Sequence, residues 1–193
     1  MREVFKMVVA LSVITGLSGL TLASLREFTA PRIEEQVLAY VQSPVLVTVV
    51  PEHDNDPIAD RRAFKLPGMD RELTVFPFMR DGELASVAFE TFGKGYVGDI
   101  GVITAFDLRS DRIVGIGMTT MKETPGVGSR VAQHGFTMQF RNRGLDGLAL
   151  SARGGTVDAV AGATVSSTGA TEAVRQAAEI YKELKPEFEK TWS

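Results

Sequence analysis

The rhythm of apolar and polar positions changes along the chain, and each change predicts a different element. Met7 to Leu25 is nineteen residues without a charge, which as a helix rising about 1.5 Å per residue roughly crosses a bilayer core. Pro31 is expected to break this run, with Ile33, Val37 and Val41 marking a short helix beyond it. Val45 to Val50 reads as a brief β-prone run, and Pro51 to Gly68, dense in Pro, Asp and Asn, as an exposed loop. From Leu73 the pattern becomes that of strands. Leu73 to Arg80 and Glu83 to Phe92 flank Asp81-Gly82, a strong hairpin signal, and Pro77 places the first of them at an edge. Ile100 to Leu108 and Ile113 to Met121 flank a turn at Arg109 to Arg112, so a meander of four antiparallel strands is expected. Finally Ala170, Val174, Ala177, Tyr181, Leu184 and Phe188, in steps of four and three, draw the stripe of one long helix.

These elements predict an α+β chain: a transmembrane anchor over residues 1–30, a stalk helix, short strand and loop over 31–68, and a domain of antiparallel sheet with flanking helices over 69–193. A cleaved signal peptide competes with the anchor, since Thr21-Leu22-Ala23 offers small residues to a peptidase, but the uncharged run exceeds the roughly 7–15 residues of a signal core. Arg2 and Lys6 precede the span, which favours a cytoplasmic N-terminus and a domain on the outer side. Ser12, Gly16, Gly19 and Ala23 form a narrow face of small side chains, suited to a partner helix within lipid.

Composition narrows the chemistry. The 193 residues include no cysteine, which excludes disulfides, thiolate-held iron–sulfur clusters and thiol catalysis. His53 and His134 are the two histidines, far apart and without a second ligand at metal-like spacing. Glu52, Asp54, Asp56 and Asp60 lack the glycine and terminal glutamate of a calcium loop and read as a solvated turn. A net charge of −3 gives no basic stripe for nucleic acid.

The richest stretch is Asp158-Ala-Val-Ala-Gly162-Ala163-Thr164-Val-Ser166-Ser167. Small residues and hydroxyls stand here at the start of the long helix, expected just past the hydroxyls, where unpaired backbone N–H groups and the helix dipole favour an anion such as phosphate. Gly162 and Ala163 leave the approach open, and Thr164 offers an oxygen at its mouth. The plainer reading is that Ser166 or Ser167 caps the helix. Upstream, Glu123-Thr124-Pro-Gly126-Val127-Gly128 forms a loop whose backbone can approach a flat ligand, with a plain strand-to-helix turn as the alternative. Gly93-Lys-Gly95-Tyr-Val-Gly98 matches the letters of a dinucleotide fingerprint, but a strand follows where that motif needs a helix, so a tight turn is expected.

Two of these segments resemble the signatures of the FMN-binding domain family, in the family's order and roughly forty residues apart. An acidic residue followed by Gly-Ala-Thr resembles its flavinylation motif, in which a flavin transferase joins FMN through its phosphate to the threonine. The resemblance implies Thr164 as the attachment residue and Asp158 as the acidic one; Ala161 stands where the family usually has a hydroxyl. Glu-Thr-Pro-Gly-hydrophobic-Gly resembles the second signature, which implies noncovalent FMN contacts at Glu123, Thr124, Gly126 and Val127. With a single N-terminal span, the chain is most similar to the flavin subunits of Rnf-type electron-transport complexes, and next to the homologous subunit of the sodium-pumping NADH:quinone reductase. That resemblance implies an electron relay with no catalytic site of its own, coupled through its complex to sodium or proton transport. The implied partners are membrane subunits A, B, C, D and E, the transferase and lipid. A stand-alone exported flavin carrier and a non-redox anchored module are the remaining readings.

Overall fold

The computed structural model describes residues 1–66 and 72–192. It divides into two units, Met1–Tyr40 and Val41–Ser193. The first holds α1, Arg2–Val37, whose apolar side chains are exposed and which is long and apolar enough to cross a membrane. Pro31 lies inside α1 instead of ending it. A proline removes one bond from the helical ladder, and cooperativity holds the turns on either side. The two units divide at 40/41, whereas the anchor is expected to end at residue 30; the boundary expected at 68/69 lies outside the described residues.

A π-helical turn, Leu38–Gln42, leads to α2, Ser43–Val49, where a β-prone run was expected. Pro44 is suited to a helix start, and Leu46 and Val49 are buried. The partner surface decides the matter: Gly115 and Gly117 present no side chain, and a Cβ at Gly117 would collide with Val45. Tertiary packing overrides the β preference of the valines.

The sheet is a six-stranded antiparallel meander, β1 to β6 in sequence order. Strands β2 (Glu72–Arg80), β3 (Glu83–Lys94), β4 (Asp99–Asp107) and β5 (Arg112–Met118) are the four expected, the last ending three residues early. Asp81 and Gly82 both have positive φ, 55° and 78°, as the tight hairpin requires. The expected loop of 51–68 contains a strand, β1 (Arg62–Lys65), with Arg62 opposite Val75 and Lys65 opposite Glu72. β2 is thus not the outermost strand. Pro77 lies past the end of β1, and there the Asn55 amide donates to Pro77 O at 3.1 Å and accepts from Met79 N–H at 2.9 Å. The loop acids serve the chain itself: Asp54 accepts from Asp81 N–H, Asp56 from the N–H of Ile58 and Ala59, and Asp60 from Asn55. β6 is the two-residue strand Arg143–Gly144, paired to the start of β5.

Helix α4, Thr164–Thr191, lies on one face of the sheet, and all six residues of the expected stripe are buried. Tyr181 stacks on Phe106 with centroids 4.5 Å apart, and Phe188 meets Phe64 edge-on at 5.0 Å. Near its start the helix touches the sheet backbone to backbone. A Cβ on Gly169 would lie 2.5 Å from Lys94 O, and one on Gly93 would strike Gly169 O. This glycine pair brings the first turns of α4 against the β3–β4 turn.

Candidate functional site

That close approach builds a cavity of about 420 Å³ from segments distant in sequence, within the range of about 300–1,000 Å³ usual for small-molecule sites. Gly162, Ala163, Thr164, Val165 and Ser166 form one wall, Glu123, Thr124, Val127 and Gly128 a second, and Tyr96 of the β3–β4 turn a third. Seven of the ten residues singled out from the sequence line it. Asp158, Gly126 and Ser167 do not.

α4 begins at Thr164, so the hydroxyls lie within its first turn and not ahead of it. Gly162, at φ 78°, turns the chain, and the Ala163 N–H donates to Val160 O at 2.9 Å. Ala163 is the N-cap and supplies no side-chain bond. The capping reading for the serines is overturned. Ser167 Oγ instead accepts from Val160 N–H at 3.0 Å, and Ser166 Oγ donates to Glu123 Oε2 at 2.5 Å. Ser167 N–H makes the first bond of the helical ladder, to Ala163 O at 2.9 Å, so the N–H groups of Thr164, Val165 and Ser166 precede it. Such an end stabilises an anion by typically 0.3–1 kcal/mol, and about 2 when partly buried. Thr164 is exposed at the cavity mouth. Arg130 is the cation held near this segment: its Nη1 donates to Ala161 O at 3.4 Å, three residues before Thr164, although Arg130 is not part of the cavity wall.

Glu123 is 7% exposed. Its Oε1 accepts from Val97 N–H at 3.0 Å while Oε2 accepts from Ser166. Burial pushes its pKa up, but the Ser166 hydroxyl and the N–H groups of Val97, Gly98 and Tyr96 outweigh this, so the carboxyl sits below the ordinary glutamate value. The expected direct flavin contact thus carries a carboxylate already committed to protein donors. Thr124 O accepts from the N–H groups of Val127 and Ser129. Gly126, at φ 75°, makes the turn that puts Val127 on the wall, and its N–H donates to Ser129 Oγ at 2.9 Å. Asp158 is held through its backbone by Gln139, at 2.7 and 3.1 Å, leaving its carboxylate exposed.

Tyr96, Val165 and Arg130 were not singled out as contacts. Tyr96 had a signal in Gly-Tyr-x-Gly, and Val165 lay inside the hydroxyl run. Arg130 is one of three cations near these segments in sequence, with Lys122 and Arg153, and its place beside Ala161 depends on a contact across 31 residues.

The residues fit FMN on observations of this chain. A free threonine hydroxyl, an uncapped helix end and Arg130 suit a phosphate, and the exposed apolar side chains of Tyr96, Val127 and Val165 suit a flat ring. The family comparison points the same way. Residues 95–179 match the model of the FMN-binding domain. The chain is 33% identical over 149 residues to the G subunit of the ion-translocating oxidoreductase complex of Stutzerimonas stutzeri, covering 70% of this chain and 63% of that protein's length. It is 30% identical over 176 residues to the G subunit of the same type of complex in Pseudomonas aeruginosa PAO1, covering 84% and 81%. Its fold resembles that of the C subunit of Na(+)-translocating NADH-quinone reductase from Parabacteroides distasonis, with a TM-score of 0.52 at 20% identity over 67% of this chain and 70% of that one. It also resembles NqrC of Shewanella oneidensis, with a TM-score of 0.51 at 23% identity over 70% and 69%.

Proposed function

This chain belongs to the family of G subunits of ion-translocating oxidoreductase complexes, and on that premise we propose that it is an FMN-binding electron-transfer subunit of an Rnf-type complex, carrying its flavin covalently on Thr164. The observation that carries the proposal is Thr164 itself: an exposed hydroxyl on the first residue of an uncapped helix, at a cavity within the segment matched by the FMN-binding domain. The Thr164 oxygen forms an ester bond to the flavin phosphorus and gives up its proton. The P–O bond to the leaving half of a flavin pyrophosphate donor breaks, and that half departs as a phosphate monoester. The uncapped N–H groups, with Arg130 nearby, would hold the phosphate, and Tyr96, Val127 and Val165 would flank the ring.

When bound, FMN supplies reversible electron transfer, for which this cysteine-free chain has no group of its own. The tether keeps the ring at high effective concentration beside its cavity, which matters on an outer face where a released cofactor is diluted away. α1 anchors the chain in the cytoplasmic membrane with its N-terminus inside and the domain outside, beside the other membrane components of the complex. Coupling to sodium or proton transport belongs to the assembled complex. Intact-mass analysis of protein made with a flavin transferase tests the proposal. One FMN phosphoester, mapped by peptide fragmentation to Thr164, is expected. A bare polypeptide mass, or FMN on Ser166, Ser167 or Thr168, defeats the assignment.

A further inference from the structure

Glu123 does something the flavin reading does not require. It is a buried carboxylate at the meeting point of three segments, and both its oxygens are occupied by protein donors. Two glycines on two of those segments make room for it. A Cβ on Gly95 would lie 2.5 Å from Oε1, and one on Gly128 would lie 2.5 Å from Oε2 and 2.8 Å from Ser166 Oγ. The bond to Ser166 also has a rotational consequence. Residues two apart in a helix differ by about 200° around the axis, so holding Ser166 inward turns Thr164 outward. The burial agrees: Ser166 is 2% exposed, whereas Thr164 is exposed.

We propose that Glu123 is the positioning residue for flavin attachment, fixing the first turn of α4 through Ser166 and the β3–β4 turn through Val97 so that Thr164 faces the cavity. This rests on the reading of Thr164 as the attachment site. With both oxygens committed to Val97 and Ser166, Glu123 acts by geometry, through the segments it holds. A misplacement of about 1 Å at a reacting group costs up to about a hundredfold in rate, so its loss slows attachment tenfold to a hundredfold.

The test is the rate at which flavin transferase, with a flavin pyrophosphate donor, loads the full chain in detergent. Wild type is compared with Glu123→Ala, Glu123→Gln, Ser166→Ala and the Glu123→Ala/Ser166→Ala double variant. Glu123→Ala is expected to lower kcat tenfold or more with little change in KM for the chain, since a misplaced hydroxyl is still bound. Glu123→Gln keeps one acceptor and falls between. Ser166→Ala is impaired, and the double variant is no slower than Glu123→Ala, because both break one link. A rate for folded Glu123→Ala equal to wild type overturns the proposal, and independent, multiplying effects overturn the route through Ser166. If Glu123→Ala fails to fold, Glu123→Gln and Ser166→Ala decide, and wild-type rates for both overturn it. A wild type that never loads flavin is a separate result, which defeats the attachment site itself and this inference with it.

Discussion

The Gly93–Gly169 crossing makes a quantitative claim, because the change that breaks it also improves the helix. Gly169→Ala in the interior of α4 removes a glycine's entropic penalty, worth about 0.5–1 kcal/mol in favour of alanine. Against this, the new Cβ meets Lys94 O at 2.5 Å, Lys94 C at 2.7 Å and Gly95 N at 3.0 Å. None of these atoms is the end of a flexible side chain. Lys94 is paired with Asp99 in the sheet, and Gly95 N–H is bonded to Gly98 O at 2.9 Å. To regain ordinary contact at 3.4 Å, α4 and the β3–β4 turn must separate by about 0.9 Å. Overpacking of this kind costs about 1–3 kcal/mol, so the clash wins and a net loss of about 1–2 kcal/mol is expected.

For a domain of this size that lowers Tm by roughly 2–8 °C. Flavin loading also falls, since the separation opens the wall between Tyr96 and Thr164. Gly135→Ala is the control: Gly135 lies in the short helix α3, His134–Thr137, where an added Cβ meets nothing within 4 Å. Equilibrium urea unfolding of wild type and both variants, with loading measured in parallel, gives the answer. A Gly169→Ala protein as stable as wild type would refute the close-packing argument.

Thr164→Val should abolish covalent flavin while shifting stability by no more than about 0.5 kcal/mol, because the residue is exposed; mass spectrometry and a urea melt check both halves. Leu46→Ala should cost about 2–3 kcal/mol, at the lower end of large-to-small core changes, because Leu46 of α2 is 1% exposed; an unchanged urea midpoint would remove α2 from the core. Tyr181 donates to Asp111 at 2.7 Å, and burial, reinforced by that bond, raises its pKa above the ordinary 10.0. A raised folded pKa gives stability that is present below the unfolded value and lost as pH rises toward the folded one. Wild type should therefore weaken above about pH 10 more steeply than Tyr181→Phe in parallel melts. Glu123 has the opposite sign, with a folded pKa below the ordinary 4.5, so its contribution is present above that value and lost as pH falls through the lower one. Glu123→Gln should flatten the acid limb of the stability profile, and an unchanged limb would contradict the hydrogen bonding described.

What was legible in the sequence is what depends on periodicity. The stripe from Ala170 to Phe188 and the strands about Asp81-Gly82 carry their partners' direction in their own spacing, so one-dimensional reading placed them nearly to the residue. Val45 to Val50 failed because its state is set elsewhere: the glycines at 115 and 117 open a bed on β5 into which a helix fits. β1 does not stand out from the polar loop because Arg62-Ala-Phe-Lys65 shows no apolar–polar alternation. The site divides in the same way. Thr164 and its small neighbours were readable because a helix start is a local event. The fate of the serines was not, since a hydroxyl at a helix start is ambiguous until its acceptor is known. For Ser166 that acceptor is Glu123, 43 residues upstream and buried. Glu123 was singled out as a ligand for the same reason: an acid beside a glycine loop signals polar contact, and only the fold shows that its donors come from the protein. The buried bond between Glu123 and Ser166 is the one feature of the site that neither segment announces alone, and on the positioning proposal it sets which side of α4 the threonine presents.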